Sequence, residues 1–307
     1  MGFEFVGVRL ARLAATMLVI STVVFFVLRV IPGDPASVVA GLDTTPEELA
    51  AIRARLGTDR PVPAQYVDWL WDMLRLDLGT SLISGQPVLS LIAQRLPLTL
   101  ALAGMGFAIS LAIAVPLGIL SAVKRWSVWD YAGMLVAQLG MALPGFWLGI
   151  LLLLLFAVTL RWFPLFGSGT LAHLVLPSVA LGAARGAVLL RLTRSSMIEE
   201  LSKDYAMAVR AKGMPPSVVN YRHALRNALL PVITVAGLQL GYMLGGAIII
   251  EQVFSLPGLG RLFLSAIYQR DFPLIQGGIV FVAFIFSCIN FAADILYSVV
   301  NPRIKVR

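Results

Sequence analysis

Charged residues are scarce in this sequence of 307 residues. Asp, Glu, Lys and Arg make up 13% of the chain, whereas soluble domains carry about 25%. Hydrophobic residues make up 59%, and the mean hydropathy is +0.88. A soluble fold of this length would need more polar material to cover its core. The scarcity of charge therefore excludes an ordinary soluble domain and indicates a chain whose solvent is the lipid bilayer.

Cysteine, histidine and catalytic motifs are equally sparse. The single cysteine, Cys288, lies in an apolar run, and the two histidines, His173 and His223, are far apart. A disulfide framework or a cysteine metal site within the chain is excluded. The sequence contains no G-x-x-x-x-G-K-[ST] phosphate-binding loop, no H-E-x-x-H and no convincing nucleophile–base pair. We therefore expect a chain that is not an enzyme and that has no cofactor or metal of its own.

The net charge of +8 does not indicate nucleic-acid binding. The basic residues lie between hydrophobic runs, and no Arg/Lys stripe with interleaved aromatic residues is present. In a membrane protein such residues are topology signals. We therefore predict membrane lipid, and no nucleic acid, among the partners of the chain.

Six segments are long and apolar enough to span a bilayer as helices. The third is long enough to tilt or bend at Pro144, and the fourth is interrupted by Arg185. Asp294, near the end of the sixth, is the only acidic residue inside a predicted span. The predicted spans are residues 10–31, 97–123, 131–160, 174–192, 228–250 and 272–300.

The first apolar run is predicted to remain in the mature chain. It is longer than the core of a signal peptide and ends in Pro32-Gly33-Asp34-Pro35 without an A-x-A-like cleavage site. With the N-terminus in the cytoplasm, the inside segments carry 14 Lys and Arg residues. The two short outside loops carry only Arg161, Arg261 and Arg270. This bias predicts that both termini are cytoplasmic.

Residues 33–96 are then predicted to form an extracytoplasmic insert with two short helices. Thr45 and Glu48 have the spacing of a capping box, with Pro46 at the first helical position and Gly57 as the stop. The first helix is expected over 46–56, and the second over about 64–76. Trp69 and Trp71 on the second helix are expected at the membrane interface or in a cap packed over the spans. The remaining parts are the N-terminal tail with the first span (1–32), the core (97–300) with a cytoplasmic loop (193–227), and the C-terminal tail (301–307).

The cytoplasmic loop between the fourth and fifth spans contains a predicted short helix. Residues 204–212 favour a helix, and Gly213, followed by Pro215 and Pro216, ends it. Residues 217–229 are expected to form a second helix that leads into the fifth span. The small side chains Ala206, Ala208 and Ala211 would let a partner surface approach closely. The pattern alone fits both an ordinary amphipathic connector and a docking segment.

This loop resembles the EAA loop of permease subunits in ATP-binding-cassette (ABC) importers. It is most similar to the version in dipeptide, oligopeptide, glutathione and nickel permeases, and the resemblance extends along nearly the whole chain. The loop segments that carry it are Asp204-Tyr205-Ala206, Arg210-Ala211-Lys212-Gly213 and His223-Ala224-Leu225-Arg226-Asn227-Ala228-Leu229-Leu230-Pro231. The segments elsewhere are Leu28-Arg-Val-Ile-Pro32-Gly33-Asp34-Pro35, Asp77-Leu-Gly79-Thr-Ser81, Leu192-Thr193-Arg194-Ser195, Glu251-Gln-Val-Phe254-Ser-Leu-Pro257-Gly258-Leu-Gly260, Arg270-Asp271-Phe-Pro273 and Asn301-Pro302-Arg303.

The resemblance implies an all-α, polytopic permease with six transmembrane helices and the type I importer fold, located in the bacterial inner membrane. It also implies four partners: a second homologous permease, two ABC ATPase subunits and an extracytoplasmic solute-binding protein. ATP and Mg would be bound by the ATPases. The short helix would be the coupling helix that docks on an ATPase. The coupling residues implied are Asp204, Ala206, Met207, Ala208, Arg210, Ala211, Lys212 and Gly213.

Several alternatives remain open from the sequence. The general EAA pattern has an acidic residue six positions before its glycine, where this chain has Met207, so a charged contact from Asp204 or none at all is expected. Arg210 and Lys212 would contact an acidic ATPase surface or anionic headgroups. Arg185 and Asp294 would form a pair, line the pathway, or reach water by snorkelling.

Two other function classes and several substrates also remain open. An ion-coupled secondary transporter or channel would need intramembrane acids and often internal repeats, and a membrane-anchored enzyme or assembly factor would need a catalytic cluster or a binding surface. Di- or oligopeptides are the first expectation for the substrate. Glutathione, nickel chelates and oligosaccharides are the alternatives.

Overall fold

The computed structural model describes residues 3–30, 33–40 and 44–300, and the regular structure in these residues is helical apart from one β-bridge between Thr80 and Pro87. Two segments, Leu153–Thr159 and Val218–Ala224, have π-helical geometry. The α-helices are α1 (Phe3–Val30), α2 (Pro35–Ala40), α3 (Pro46–Leu56), α4 (Val62–Leu74), α5 (Val88–Val123), α6 (Val128–Ala142), α7 (Gly145–Leu152), α8 (Ala172–Ser202), α9 (Asp204–Ala211), α10 (Leu225–Val253), α11 (Leu259–Gln269) and α12 (Phe272–Val300).

Five helical segments in the described residues are long and apolar enough to cross a membrane: Gly7–Val30, Val88–Val123, Ala172–Ser202, Val218–Val253 and Phe272–Ala293. A sixth candidate is a pair, in which Val128–Ala142 and Gly145–Thr159 meet at a bend of 106°. The predicted all-α, polytopic membrane fold is confirmed, and the count is six when the bent pair is one span. The cytoplasmic location of both termini stays a prediction.

The bend in the third span lies at Pro144, where the sequence predicted it. Leu143 is extended, with ψ of 128°, because the ring of a following proline disfavours helical backbone in the preceding residue. Pro144 also lacks the N–H group that would continue the helix. The change of direction, 106°, is a sharp bend rather than a tilt of the whole span.

The chain divides into two compact units. The first contains Met1–Pro97 and Gly258–Cys288. Its core includes Val24, Leu28, Val88 and Ile92 together with residues of α11 and α12. Two segments that are distant in sequence also meet in this unit. Ser81 Oγ donates a 2.5 Å hydrogen bond to the buried Asp271 carboxylate.

Both predicted helices of the 33–96 insert are present in the first unit. Helix α3 has the predicted bounds, and the capping box of Thr45 and Glu48 holds the pKa of the Glu48 carboxyl below its usual value through the hydrogen bond from the Thr45 backbone. Helix α4 begins and ends two residues earlier than predicted, since Pro61 and Pro63 favour the first helical positions. The ring of Trp69 lies 5.5 Å from that of Phe25, whereas Trp71 is exposed.

The second unit contains Leu98–Pro257 and Ile289–Arg307, and α8 is its most enclosed span. Glycines allow its backbone to approach neighbouring helices closely. A Cβ on Gly182 would lie 2.5 Å from the carbonyl oxygen of Gly106 in α5, and one on Gly140 of α6 would lie 2.9 Å from Ala187. Small residues thus set the spacing of the helices in this unit, as is common in membranes.

Three helices in and around the spans differ from the predictions. Helix α5 begins at Val88 rather than near 97, because Gln94 and Arg95 interrupt the apolar run without interrupting the backbone hydrogen bonds. Helix α8 continues to Ser202, ten residues beyond the predicted span. The predicted second loop helix is not separate, because the π-helical Val218–Ala224 passes directly into α10.

Candidate functional site

The short helix predicted in the loop is α9, Asp204–Ala211, and it ends at a tight turn. Lys203 is extended and separates α9 from α8. Gly213 has φ of +76°, a left-handed conformation that glycine adopts without a steric penalty. Pro215 and Pro216 follow and prevent the helix from continuing. The chain therefore presents α9 between two sharp changes of direction.

The predicted coupling residues are mostly on the exposed side of α9. Ala206 is the exception, because it is fully buried and anchors the helix against its own unit. Met207 is 51% exposed although its side chain is large and apolar. The other predicted coupling residues, which are all exposed, are Asp204, Ala208, Arg210, Ala211, Lys212 and Gly213.

A chain of hydrogen bonds ties α9 to both neighbouring helices. The Tyr205 hydroxyl donates to Glu200 Oε2 of α8 at 2.6 Å, and it accepts a 3.3 Å hydrogen bond from Asn227 Nδ2 of α10. Burial, followed by the Glu200 carboxylate, raises the pKa of the Tyr205 hydroxyl, which keeps it protonated as a donor. Displacement of α9 would therefore act on α8 and α10 together.

Two cations reinforce the junction between α8 and α9. Lys203 Nζ lies 2.5 Å from Glu200 and 3.3 Å from Glu199, and these carboxylates raise the pKa of the Lys203 ammonium, Glu200 most strongly. Arg210 donates to the backbone oxygen of Leu201 at 3.1 Å while its side chain remains exposed. The exposed face of α9 thus carries the acid Asp204 at its start and Met207, Ala208 and the basic Arg210 further on, and it is attached to α8.

No role for Glu200, Tyr205 or Asn227 was predicted from the sequence. Tyr205 and Asn227 belong to the segments that carry the family resemblance, and Glu200 has helical spacing to Lys203. No other feature of the sequence indicated that these three residues interact. That the three side chains meet depends on how α8, α9 and α10 rotate about their axes, which no local pattern specifies.

Arg185 lies in the middle of α8, and its partners there are neutral. Its guanidinium donates to Gln239 Oε1 at 3.4 Å and lies 5.3 Å from the centre of the Tyr242 ring. Asp294 lies on α12, but its side chain is outside the described residues. The pair between Arg185 and Asp294 stays a prediction.

Two further acids are buried in helices of the candidate spans, each one residue outside the span that the sequence predicted. Asp130 is buried in α6, where Arg194 donates two hydrogen bonds to it at 2.6 and 2.8 Å. Glu251 is fully buried in α10 and accepts a 2.5 Å hydrogen bond from Thr99. The apolar runs predicted both acids to lie outside the spans, but their helices extend beyond those runs. Hydrogen-bond partners within the unit stabilise both carboxyl groups where they are buried.

No group of three or more His, Cys, Asp or Glu side chains in the described ranges could hold a metal ion. Two sites in the second unit contain residues that were predicted from the sequence to have a function. One is the exposed α9 with its hydrogen-bonded attachment to α8 and α10. The other is Arg185 with Gln239 and Tyr242.

Comparisons with known protein families cover almost the whole chain. Residues 114–306 match the family model described as "Binding-protein-dependent transport system inner membrane component". Residues 2–103 match the model of the N-terminal part of such membrane components.

Curated relatives of similar length include two kinds of permease. A putative peptide transport system permease protein of Brucella abortus is 41% identical over 305 residues, which cover 97% of each chain. A glutathione transport system permease protein of Pectobacterium atrosepticum is 42% identical over 299 residues, which cover 97% of this chain and 98% of the relative.

Solved structures show a similar fold at lower sequence identity. The inward-facing MetNI methionine ABC transporter matches with a TM-score of 0.57 and 20% identity, over 69% of this chain and 97% of that chain. An amino acid ABC transporter solved with histidines matches with a TM-score of 0.51 and 17% identity, over 70% of this chain and 94% of that chain. At these identities, the likeness concerns the fold alone.

Proposed function

The chain belongs to the family of binding-protein-dependent transport system inner membrane components, and we propose that it is the peptide-importing member of its complex, coupled to ATPase subunits through α9. As a member of this family it is a multi-pass permease subunit of the bacterial inner membrane in an ATP-driven importer, and not an enzyme. The family membership favours this function over an ion-coupled secondary transporter or channel.

The proposed cargo is a di- or oligopeptide or a peptide-like molecule such as glutathione. The basis is the names of relatives that are 41–42% identical over nearly their full length, some described as peptide and others as glutathione permeases. Selectivity is expected to lie largely with a separate solute-binding protein outside the cytoplasm. A second homologous permease would supply the other half of the pathway.

The observation that carries the coupling role is the way α9 is exposed and attached. Its outer face carries Met207, Ala208 and Arg210, and Tyr205 connects it to α8 and α10. A partner that moves α9 would tilt both attached spans. We propose that this partner is one of two ABC ATPases, which bind the ATP and Mg, and that their closure drives the movement.

The residues proposed to meet the ATPase are the exposed ones of α9 and its turn. Because residue 207 is methionine rather than an acid, we expect it to make an apolar contact with the ATPase. Arg210 and Lys212 are both exposed, and their charge suits an acidic ATPase surface as well as anionic headgroups. Ala206 is proposed to pack α9 against the rest of its unit rather than to contact the ATPase, because it is buried within the unit.

The coupling proposal is tested by adding bulk and charge to the outer face of α9. Ala208→Arg should abolish co-purification of the ATPase subunits and ATP-dependent uptake. Ala50→Arg is the matched control, because Ala50 is also an exposed helical alanine but lies in α3, far along the chain. Full ATPase co-purification and uptake with Ala208→Arg would contradict the proposal.

A second variant tests the turn rather than the contact surface. Gly213→Pro cannot keep φ of +76°, because the proline ring fixes φ near −65°. It should weaken ATPase co-purification while the permease still inserts in the membrane. Insertion is checked by the amount of full-length chain in the membrane fraction, and normal ATPase binding by the inserted variant would count against a role for the turn.

A further inference from the structure

Arg185 is a cation deep within a membrane-spanning helix. Within the predicted span, 174–192, eleven residues precede it and seven follow it, which correspond to about 16 and 10 Å of helix. An arginine side chain is shorter than either distance. Its charge must therefore be stabilised where it lies, by protein, by a ligand or by water in a pathway.

The partners that the structure gives Arg185 among the described side chains are both neutral. Gln239 accepts one hydrogen bond, and the Tyr242 ring faces the guanidinium. No carboxylate among the described side chains forms an ion pair with Arg185. A guanidinium has five N–H donors in a planar fork, so several remain directed away from Gln239.

The cluster lies at the edge of its unit, where Gln239 is buried and Tyr242 reaches the surface. Tyr242 is 51% exposed and lies on a stripe of α10 whose other exposed members are Leu238, Gly245 and Ile249. Lipid tails cannot solvate a guanidinium, and intramembrane arginines almost always face a bundle interior or a water-filled cavity. The face of α10 beside Arg185 is therefore expected to border water or another protein subunit.

We infer that Arg185, oriented by Gln239 and Tyr242, binds the carboxylate of the transported solute during its passage. This inference rests on the proposed peptide-importing function. Every free peptide ends in a carboxylate, and glutathione carries two. A guanidinium binds a carboxylate through two parallel hydrogen bonds. The partners of Arg185 among the described side chains are neutral, so none of these is an anion that the solute would have to displace.

The charge requirement is tested in the complete complex in proteoliposomes, with labelled alanyl-alanine as the probe. Arg185→Gln should lower ATP-dependent uptake about tenfold, as the loss of hydrogen bonds between charged groups does. Arg185→Lys should retain more uptake because it keeps the charge. Arg191→Gln is the matched control, since Arg191 is an exposed arginine of the same helix, six residues further on. Equal uptake by wild type and Arg185→Gln would overturn the inference.

Access to the site is tested with Arg185→Cys in a Cys288→Ala background, which removes the one native thiol. A cationic aminoethyl methanethiosulfonate should react from the aqueous phase and restore uptake. An anionic sulfonatoethyl reagent should react without restoring it. Excess alanyl-alanine with the binding protein and ATP should slow both reactions. If neither reagent reacts at any stage of the ATPase cycle, residue 185 is buried against another subunit and the inference fails.

A pair with Asp294 would give a different result. The defects of Arg185→Gln and Asp294→Asn would then be similar and would not add in the double variant, which would also overturn the inference. Failure of the proposed function is distinguishable, because the Cys288→Ala complex would then hydrolyse ATP without importing alanyl-alanine. In that case uptake cannot be compared among the variants. The reaction of Arg185→Cys with the two reagents still shows whether residue 185 borders water.

Discussion

At the residue scale, buried acidic side chains join the spans of the second unit. Asp130 accepts both hydrogen bonds that Arg194 donates, so the pair joins the first turn of α6 to α8. Glu251 accepts a hydrogen bond from Thr99, which joins α10 to α5. Burial makes the loss of Asp130 costly, because the charge of Arg194 is then left without its carboxylate.

Removal of Asp130 should therefore destabilise the permease strongly. Asp130→Ala is expected to cost about 3–5 kcal/mol of unfolding free energy, as the loss of one partner of a buried pair does. Asp68→Ala is the control, because its pair with Arg60 is about half exposed and should be worth no more than about 1 kcal/mol. Unfolding in mixed detergent micelles measures both, and equal losses would contradict the assignment.

Tyr205 is a second residue whose effect is predicted from one hydroxyl group. Tyr205→Phe removes the donor to Glu200 and the acceptor for Asn227 while the ring remains. It should leave ATPase binding intact and lower the amount of solute imported per ATP hydrolysed, because α9 is then less firmly connected to the spans. The loss of stability should be about 1 kcal/mol.

The control for Tyr205 is Tyr221→Phe in the π-helical segment that precedes α10. Tyr221 is exposed, and its hydroxyl makes no hydrogen bond within the described residues. Its variant should keep the wild-type ratio of uptake to hydrolysis. A Tyr205→Phe complex with the same ratio as the Tyr221→Phe complex would show that the hydroxyl group does not contribute to coupling.

At the element scale, α8 organises the second unit through close backbone contacts. It runs parallel to α5, because Gly106 lies against Ser178 and Leu181 and Gly118 against Leu190 and Thr193. It runs antiparallel to α10, since Arg185 contacts Gln239 and Leu181 contacts Gly246. These directions agree with the predicted alternation of spans across the membrane.

Substitution of the closest glycine contact should push α5 and α8 apart. Gly182→Ala places a Cβ 2.5 Å from the Gly106 carbonyl oxygen, and because this neighbour is backbone the helices must shift. We expect a loss of about 1–3 kcal/mol of stability from overpacking. Gly104→Ala on α5 is the control, because its Cβ would meet nothing within 4 Å. Thermal unfolding in detergent distinguishes the two, and equal midpoints would argue against this close approach.

At the scale of the whole molecule, the arrangement relative to the membrane rests on the distribution of basic residues. The segments predicted to be cytoplasmic, with the termini, carry 14 Lys and Arg residues, whereas the two short outside loops carry three. The α9 face proposed to meet the ATPases lies in one of these segments. The coupling proposal therefore requires both termini to be cytoplasmic.

Thiol labelling in spheroplasts checks this orientation. In a Cys288→Ala background, a membrane-impermeant reagent should label Gly169→Cys in intact spheroplasts. Arg125→Cys should react only after the membrane is permeabilised. Both positions are exposed in the structure, so a difference in labelling reports sidedness. The reverse pattern would place α9 outside the cytoplasm and contradict its proposed role.

The sequence by itself determined the features that arise within a few neighbouring residues. Long apolar runs with few charges specified the spans, the Thr45–Glu48 capping box specified the bounds of α3, and the Gly213 turn specified the end of α9. Such signals persist because a backbone hydrogen bond or a cap joins residues that are already close in the chain.

Only the tertiary structure decided which side chains meet across helices. It extended α10 to include Glu251, brought Tyr205 between Glu200 and Asn227, and placed Gln239 beside Arg185. A span that is apolar on every side has no polar face to indicate its rotation, because lipid and protein interior are both apolar. The rotation of each helix is set by close packing at small residues such as Gly182, and that packing involves residues far apart in the sequence.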